Sequence, residues 1–181
     1  MERALPPLIP GKLFLLALPH PLRQELTHHL IAHLALVGPV RVLEGGHAFN
    51  AFTLARLIRR QTPHLEAALA RITLARAFTC YQVLALLAKT PATASPCFVL
   101  NLLTTFYDET LSQPESERLL NLAIEHLLRL RERAPVVVIV APPPPQYAAR
   151  ARLLTHLEAL ADEILTAPSP QSQPVQTRLF P

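Results

Sequence analysis

Arginines that share one predicted helix carry the clearest charge pattern in the sequence. Arg56, Arg59 and Arg60, in LARLIRR, are spaced i, i+3 and i+4, so they lie on a single helical face. Guanidinium groups on one face can contact a phosphate backbone, and each contact adds to a salt-dependent affinity. Arg150 and Arg152, in AARARLL, are further candidate DNA-binding residues. A solvated helix face explains the same pattern, so both interpretations stay open.

Metal-ligating and nucleophilic side chains form no complete motif. His29 and His33, in THHLIAHL, are spaced i, i+4 and share a face that could bind a metal. No Glu follows the first His as in metalloproteases, and no third ligand is evident, so we predict no metal site. There is no GxSxG elbow, and Cys80 and Cys97 lack a flanking motif. We expect both cysteines to be reduced and buried.

The elements that must position these residues alternate along the chain. Short, almost continuously apolar runs predict strands that are covered on both faces, and amphipathic segments between them predict helices. This alternation indicates βα units and a mostly parallel, doubly covered sheet. The predicted strands are 12–18, 40–43, 71–75, 97–103 and 136–141, and the predicted helices are 21–37, 50–61, 64–70, 81–89, 115–133 and 146–160.

Capping and proline signals mark the ends of several elements. Ser112 and Glu115 have capping-box spacing, with Pro114 in the first turn of the helix 115–133. APPPP at 141–145 must end the last apolar strand, either as a stiff connection or as a ligand for a proline-binding module. We predict one domain over 1–181, with a Pro, Ser and Gln-rich tail at 167–181 that includes a short edge strand, VQTRLF.

Several stretches together resemble the RecA and RadA recombinases. ITLARAFTCYQVLALLAK (72–89) is similar to the segment of RadA-type proteins in which a strand ends in ARAF and a Gln, here Gln82, leads into a helix. Residues 97–144 are similar to the following strand, loop, long helix and Val-rich strand, and VRVLEGGHAF (40–49) matches an intervening strand with its acidic turn. The resemblance implies a three-layer RecA-like core of the P-loop NTPase type.

The same resemblance identifies LPHPLRQE (18–25) as the segment that would bind nucleotide phosphates. Such a loop needs glycines whose N–H groups surround the phosphates, a Lys for charge, and a Ser or Thr for Mg²⁺. Here Pro19 and Pro21 remove backbone donors, and Glu25 puts a carboxylate near the expected hydroxyl. Arg23 could replace the Lys, but one cation cannot rebuild a cradle of amides.

The acidic groups of the implied nucleotide site are altered as well. Asn101 falls near the position of the metal-binding aspartate of the family, because the strand ends in LNLL. Glu44 is retained after VRVL, but GGH follows where the family would carry its catalytic Glu. We therefore predict a pseudo-ATPase that hydrolyses no nucleotide and needs no cofactor.

Two further features bear on partners of the recombinase type. The loop after strand 97–103 contains Asp108 and Glu109, and the short APPPPQYAA connection replaces the longer DNA loop of the family. Both weaken the case for filament-type DNA binding. FTLA (52–55) matches the Phe-x-x-Ala pattern by which RadA-type proteins bind a neighbour, but it falls in a predicted helix, where we expect Phe52 to be buried.

The sequence thus predicts a non-catalytic accessory protein of DNA recombination or repair. Its expected partners are DNA, an active RecA-like or RadA-like protein, or a second copy. One alternative is a protein-interaction scaffold with no DNA role. Another is an enzyme with a new pocket at the carboxyl ends of the strands, around Glu44, His47, Thr79 and Asn101.

Charge and hydropathy are consistent with these alternatives without choosing among them. The net charge of +4 and the pI of about 9.6 permit an acidic partner such as nucleic acid. No apolar run reaches the length of roughly 18 residues that a membrane span needs. We expect a cytoplasmic protein that has no membrane partner.

Overall fold

Parallel strands form the centre of the computed structural model, which describes residues 7–143 and 145–166. Within these ranges the sheet has six strands in the order β3-β2-β4-β5-β1-β6, and every neighbouring pair is parallel. Leu15 of β1 is aligned with Val138 of β5, and Leu43 of β2 with Val99 of β4. The strands are β1 Leu13–Ala17, β2 Val40–Gly45, β3 Ile72–Ala77, β4 Cys97–Leu100, β5 Val136–Val140 and β6 Glu163–Thr166.

Helices cover both faces of the sheet. One apolar cluster joins α1, α2 and α3 to the side chains of one face, including Phe14 and Phe98. A second cluster joins α4, α5 and α6 to the other face, including Leu15 and Val138. The helices are α1 Leu22–Val37, α2 Ala51–Arg59, α3 Leu65–Ala70, α4 Cys80–Lys89, α5 Gln113–Arg131 and α6 Ala151–Leu160. This is the predicted three-layer α/β architecture, and it is consistent with a RecA-like core.

Burial along the strands explains why their sequences look as they do. All residues of β1, β4 and β5 are buried, since these strands have a neighbour on each side and helices on both faces. Burial alternates along β6, which is at an edge of the sheet. Continuous apolar runs therefore predict the interior strands, but they do not predict β6, because only alternate residues of β6 are partly buried.

The structure corrects two predicted boundaries. The strand predicted over 97–103 ends at Leu100, because Asn101 takes a left-handed conformation (φ 54°) and a 3₁₀-helix, Leu102–Tyr107, follows. The helix predicted over 146–160 begins as a 3₁₀-helix, Pro145–Arg150, and becomes α-helical only at Ala151.

The predicted cap is confirmed: the Ser112 hydroxyl accepts a hydrogen bond from the N–H of Glu115 at 3.3 Å. The predicted tail, 167–181, and its edge strand lie outside the described residues.

Cys80 and Cys97 are free thiols and both are buried, as predicted. Loss of solvent raises the pKa of Cys97 to about 12 and also raises that of Cys80. The thiolate is the nucleophilic form, so neither cysteine is activated for chemistry at neutral pH. In the part of the chain that the structure describes, no helix has the length and apolar character needed to cross a membrane.

Candidate functional site

A cavity of about 300 Å³ opens at the carboxyl ends of the central strands. The segment after β1, the loop after β2 and the ends of β4 and β5 enclose it, as expected for a ligand site in an open α/β sheet. Polar and apolar groups contribute to its wall, and none of the described lining residues carries a carboxylate. The lining residues are His20, Arg23, Gln24, Thr27, His28, His47, Ala48, Phe49, Leu100, Asn101 and Ile139.

Backbone amides at the start of α1 are already in use. The N–H of Arg23 donates to the carbonyl of Pro19 at 3.0 Å, and those of Gln24 and Glu25 donate to the carbonyl of Pro21 at 2.9 and 3.1 Å. Pro19 and Pro21 themselves have no N–H. Glu25 is exposed and does not line the cavity. The amide cradle that holds phosphates in P-loop proteins therefore has no equivalent in this turn.

Arg23 is the one permanent cation among the described lining residues. Its side chain is half-buried, and its Nη1 donates a long hydrogen bond of 3.3 Å to the carbonyl of Leu18. It forms no ion pair with a described residue. Burial lowers the pKa of Arg23 below its ordinary value, because the guanidinium loses water without gaining a carboxylate partner.

His28 fixes the loop that follows β2. Its Nδ1 donates to the carbonyl of Gln24 at 2.7 Å, and its Nε2 accepts from the N–H of Asn50 at 3.3 Å. A carbonyl can only accept and an amide N–H can only donate, so these bonds select the neutral tautomer with the proton on Nδ1. The ring also stacks on Phe49, with centroids 5.4 Å apart. Sequence analysis missed this role because nothing local distinguishes His28 from His29.

Glu44 lies beneath the cavity and does not line it. Its side chain is fully buried; Oε1 accepts hydrogen bonds from the N–H groups of Ala48 and Phe49, and Oε2 pairs with the Arg76 Nε at 2.7 Å. Arg76 also donates to the Phe49 carbonyl. The carboxylate therefore holds the turn after β2 and ties it to β3.

Asn101 does line the cavity, as part of the turn that ends β4. It is 9% exposed, and its side-chain amide forms no hydrogen bond with a described residue. Its carbonyl lies 3.0 Å from the point where a Cβ on Gly45 would lie, so the ends of β2 and β4 approach closely only because residue 45 is glycine. The predicted nucleotide-site residues Arg23 and Asn101 thus meet in one cavity.

The alternative pocket predicted from the sequence is present in part. His47 and Asn101 line the cavity, but Glu44 and Thr79 do not. Thr79 caps α4, and its hydroxyl accepts a hydrogen bond from the N–H of Gln82 at 3.2 Å. Sequence order shows which strand each residue follows, but not whether a side chain points into the cavity or back into the protein.

The basic face of α2 is exposed. Arg56, Arg59 and Arg60 form no ion pair or hydrogen bond through their side chains with the described residues. Phe52 is 77% exposed, so the prediction that it is buried is wrong. Leu54 and Ile58 take the core positions of this helix, which turns Phe52, Arg56 and Arg59 outward at i, i+4 and i+7.

The two remaining candidate DNA-binding arginines differ from each other. Arg150 is directed into the protein, where its guanidinium donates to the carbonyls of Phe106 and Leu111 and to the Ser116 hydroxyl. Arg152 is exposed and unpaired among the described residues. The two side chains therefore do not form one basic surface.

His29 and His33 line a groove between α1 and α2, together with Arg60. No cluster of three or more His, Cys, Asp or Glu side chains in the described ranges could hold a metal ion. The groove therefore contains two histidines that could bind a metal ion, and the positive charge of Arg60 beside them opposes metal binding.

No protein-family model matches the chain, and no curated protein matches its sequence. The resemblance to recombinases consequently stays a prediction, and function must be argued from the site and the surface.

Proposed function

We propose that this protein is a non-catalytic, RecA-like accessory protein of DNA recombination or repair. In this proposal the outer face of α2 binds DNA or an active recombinase-like partner, and the cavity at the strand ends does not hydrolyse nucleotides. The observation that carries the proposal is an exposed row of arginines on a helix, AFTLARLIR, that contains no carboxylate; these arginines pair with no described residue.

The chemistry of the cavity supports the absence of hydrolysis. Mg²⁺ prefers oxygen ligands, and in phosphoryl transfer it neutralises the charge that develops on the phosphates. No carboxylate is among the described residues that line the cavity, and the Glu44 carboxylate is already bonded to Arg76 and two backbone N–H groups. Phosphate binding also lacks its amide cradle. The described residues of the cavity thus supply neither metal ligands nor a phosphate cradle of the P-loop kind, which supports the proposal.

We expect no Mg²⁺-dependent ATP hydrolysis above the protein-free rate, with or without single-stranded or double-stranded DNA. Release of inorganic phosphate measures this directly. Arg23→Ala is the control variant, because a contaminating ATPase would be insensitive to that change. Mg²⁺-dependent turnover that Arg23→Ala abolishes would contradict the proposal.

The exposed face of α2 supports DNA binding. Each guanidinium that neutralises a phosphate releases counterions, so the logarithm of the affinity falls with the logarithm of the salt concentration, by about 0.9 per contact on duplex DNA. Phe52 lies in the same row, and an exposed aromatic ring beside cations suits an unpaired base. Single-stranded DNA is therefore the favoured form.

We expect labelled single-stranded DNA to bind with an affinity that falls steeply with salt and does not depend on ATP. The double variant Arg56→Gln/Arg59→Gln should weaken binding and reduce the salt slope by about 1 to 2. Fluorescence anisotropy over a salt series gives both quantities.

Lys89→Gln/Arg133→Gln is a matched control for this experiment. Both residues are exposed: Lys89 is the last residue of α4, and Arg133 lies in the turn that follows α5. The double change removes the same net charge. An equal loss in the control would indicate attraction by overall charge, and it would contradict a specific role for α2.

The exposure of Phe52 also favours a second candidate function, a protein-interaction scaffold. Phe52 and Ala55 lie in the Phe-x-x-Ala pattern, and an exposed aromatic side chain is typical of an anchor at an interface. Association with a recombinase-like protein that is insensitive to salt, is lost in Phe52→Ser and occurs without DNA binding would favour this function.

A further inference from the structure

We propose that the cavity at the strand ends binds a small organic monocarboxylate, without a metal ion, between the side chains of Arg23 and Asn101. This inference goes beyond the proposed function, because it assigns a ligand to the cavity and does not depend on DNA binding by α2.

Asn101 supplies the first reason to expect a polar ligand. A buried amide without a hydrogen bond costs free energy, and buried side-chain amides are therefore normally paired. Asn101 is nine-tenths buried at the wall of the cavity, and its amide has no partner among the described residues but is not sealed from solvent, so water or a ligand in the cavity must satisfy it. The backbone of Asn101 is also unusual, with a positive φ of 54°, and residues with unusual backbone angles are concentrated at ligand sites.

Arg23 supplies the charge. Its guanidinium uses one of its five N–H groups on the Leu18 carbonyl and has no carboxylate partner, and burial has already lowered its pKa. A carboxylate matches the planar fork of a guanidinium and can accept two parallel hydrogen bonds from it. A carboxylate ligand would thus replace the water that this cation has lost.

The charge balance selects a carboxylate over a phosphate. Arg23 carries one positive charge and is the one arginine or lysine among the described residues of the wall, where His20 and His47 also lie, and both ring nitrogens of His28 are already hydrogen-bonded. A monocarboxylate balances this charge, whereas a phosphate monoester brings close to two negative charges and needs more N–H donors. The amides that could supply those donors already bind Pro19 and Pro21.

The rest of the wall defines the body of the ligand. Ala48, Phe49, Leu100 and Ile139 give the cavity an apolar side, and a volume of about 300 Å³ is at the small end of ligand pockets. A compact carboxylate with an aromatic or aliphatic body therefore fits this combination of groups.

Benzoate is the probe for the test, with benzamide as its neutral isostere and phenyl phosphate as its doubly charged counterpart. In ¹⁵N-labelled protein at mildly alkaline pH, we expect saturable benzoate shifts of the amide signals of Thr27, Ala48, Phe49 and Asn101. Benzamide should bind at least about tenfold more weakly because it lacks the charge that pairs with Arg23, and phenyl phosphate should do so because its second negative charge has no partner.

Amino-acid variants distinguish recognition of the ligand's carboxylate from non-specific binding in an apolar cavity. Arg23→Gln should weaken benzoate binding at least about tenfold. Asn101→Asp is nearly isosteric and tolerates the left-handed backbone, and it should abolish binding by placing a second negative charge beside the ligand. Arg133→Gln, in the exposed turn that follows α5, should bind like the unchanged protein. If Arg23→Gln does not fold, Asn101→Asp still tests recognition of the carboxylate.

Equal binding of benzoate and benzamide would overturn the proposal in favour of an apolar cavity without carboxylate recognition. Tighter binding of phenyl phosphate would overturn it in favour of a phosphate site. Absence of any saturable shift with benzoate would also overturn it. None of these results bears on the DNA-binding experiments with α2, so the two proposals can fail separately.

Discussion

Replacing Glu44 with alanine is expected to lower the free energy of unfolding by about 3 kcal/mol. The change removes a fully buried carboxylate that binds two backbone N–H groups and one guanidinium. The N–H of Phe49 would be left buried without an acceptor, and Arg76 would lose its partner. Denaturant unfolding followed by circular dichroism measures the effect, since the chain has no tryptophan for fluorescence.

Two further variants test which contacts of Glu44 matter. Arg76→Met leaves the buried carboxylate without its cation and should cost about 2 to 4 kcal/mol, reduced by the partial exposure of Arg76. The double variant Glu44→Ala/Arg76→Met should cost less than the sum of the two single changes, because the second change removes a group that the first has already left unpaired. A cost below about 0.5 kcal/mol for Glu44→Ala would show that this carboxylate is not structural, and that it is free for another role.

The interior of the fold could be predicted because burial dictates residue type there. Strands β1, β4 and β5 are buried at every position, so their sequences are apolar throughout and are easily recognised. The edge strand β6 has no such requirement, and EILT at 163–166 has no pattern that predicts a strand. Boundaries failed where the backbone changes direction under tertiary packing, as at Asn101, where an apolar run continues through a left-handed turn into a 3₁₀-helix.

The site could be predicted by position along the chain but not by orientation. Arg23 follows β1 and Asn101 follows β4, so sequence reasoning placed both near the carboxyl ends of the strands. It could not show that Glu44 turns inward to Arg76, or that Phe52 turns outward. The direction of each side chain depends on which face of its helix or strand packs against the core. The sequence of α2 is short, and it is compatible with more than one choice of buried face.

Replacing Arg150 is the second change that we expect to lower stability strongly. The contacts of Arg150 indicate a structural role, whereas its charge suggested DNA binding. Nη1 donates to the Phe106 carbonyl and, at 3.2 Å, to the Ser116 hydroxyl, and Nη2 donates to the Leu111 carbonyl at 2.6 Å. The Arg150 side chain thereby connects the segment before α6 to the 3₁₀-helix Leu102–Tyr107, to Leu111 and to the start of α5. Arg150→Ala should lower the free energy of unfolding by about 2 to 4 kcal/mol, because it leaves buried acceptors without a donor.

Arg150→Lys should not restore this stability. An ammonium group is a compact charge on a flexible stem and cannot reproduce the rigid fork that spans the two carbonyls. Arg152→Ala is the neighbouring control and should change stability by no more than about 0.5 kcal/mol, since its side chain is exposed and unpaired among the described residues. Denaturant unfolding of the three variants gives the comparison.

The DNA salt series then decides whether Arg150 has any part in binding. A structural role predicts that Arg150→Ala, studied below its unfolding transition, keeps the salt slope of the unchanged protein, since a guanidinium held by carbonyls and a hydroxyl releases no counterions from DNA. A variant of unchanged stability with a reduced salt slope would mean that Arg150 leaves these acceptors for a phosphate. In that case the DNA surface would extend from α2 to the segment before α6, on the other face of the sheet.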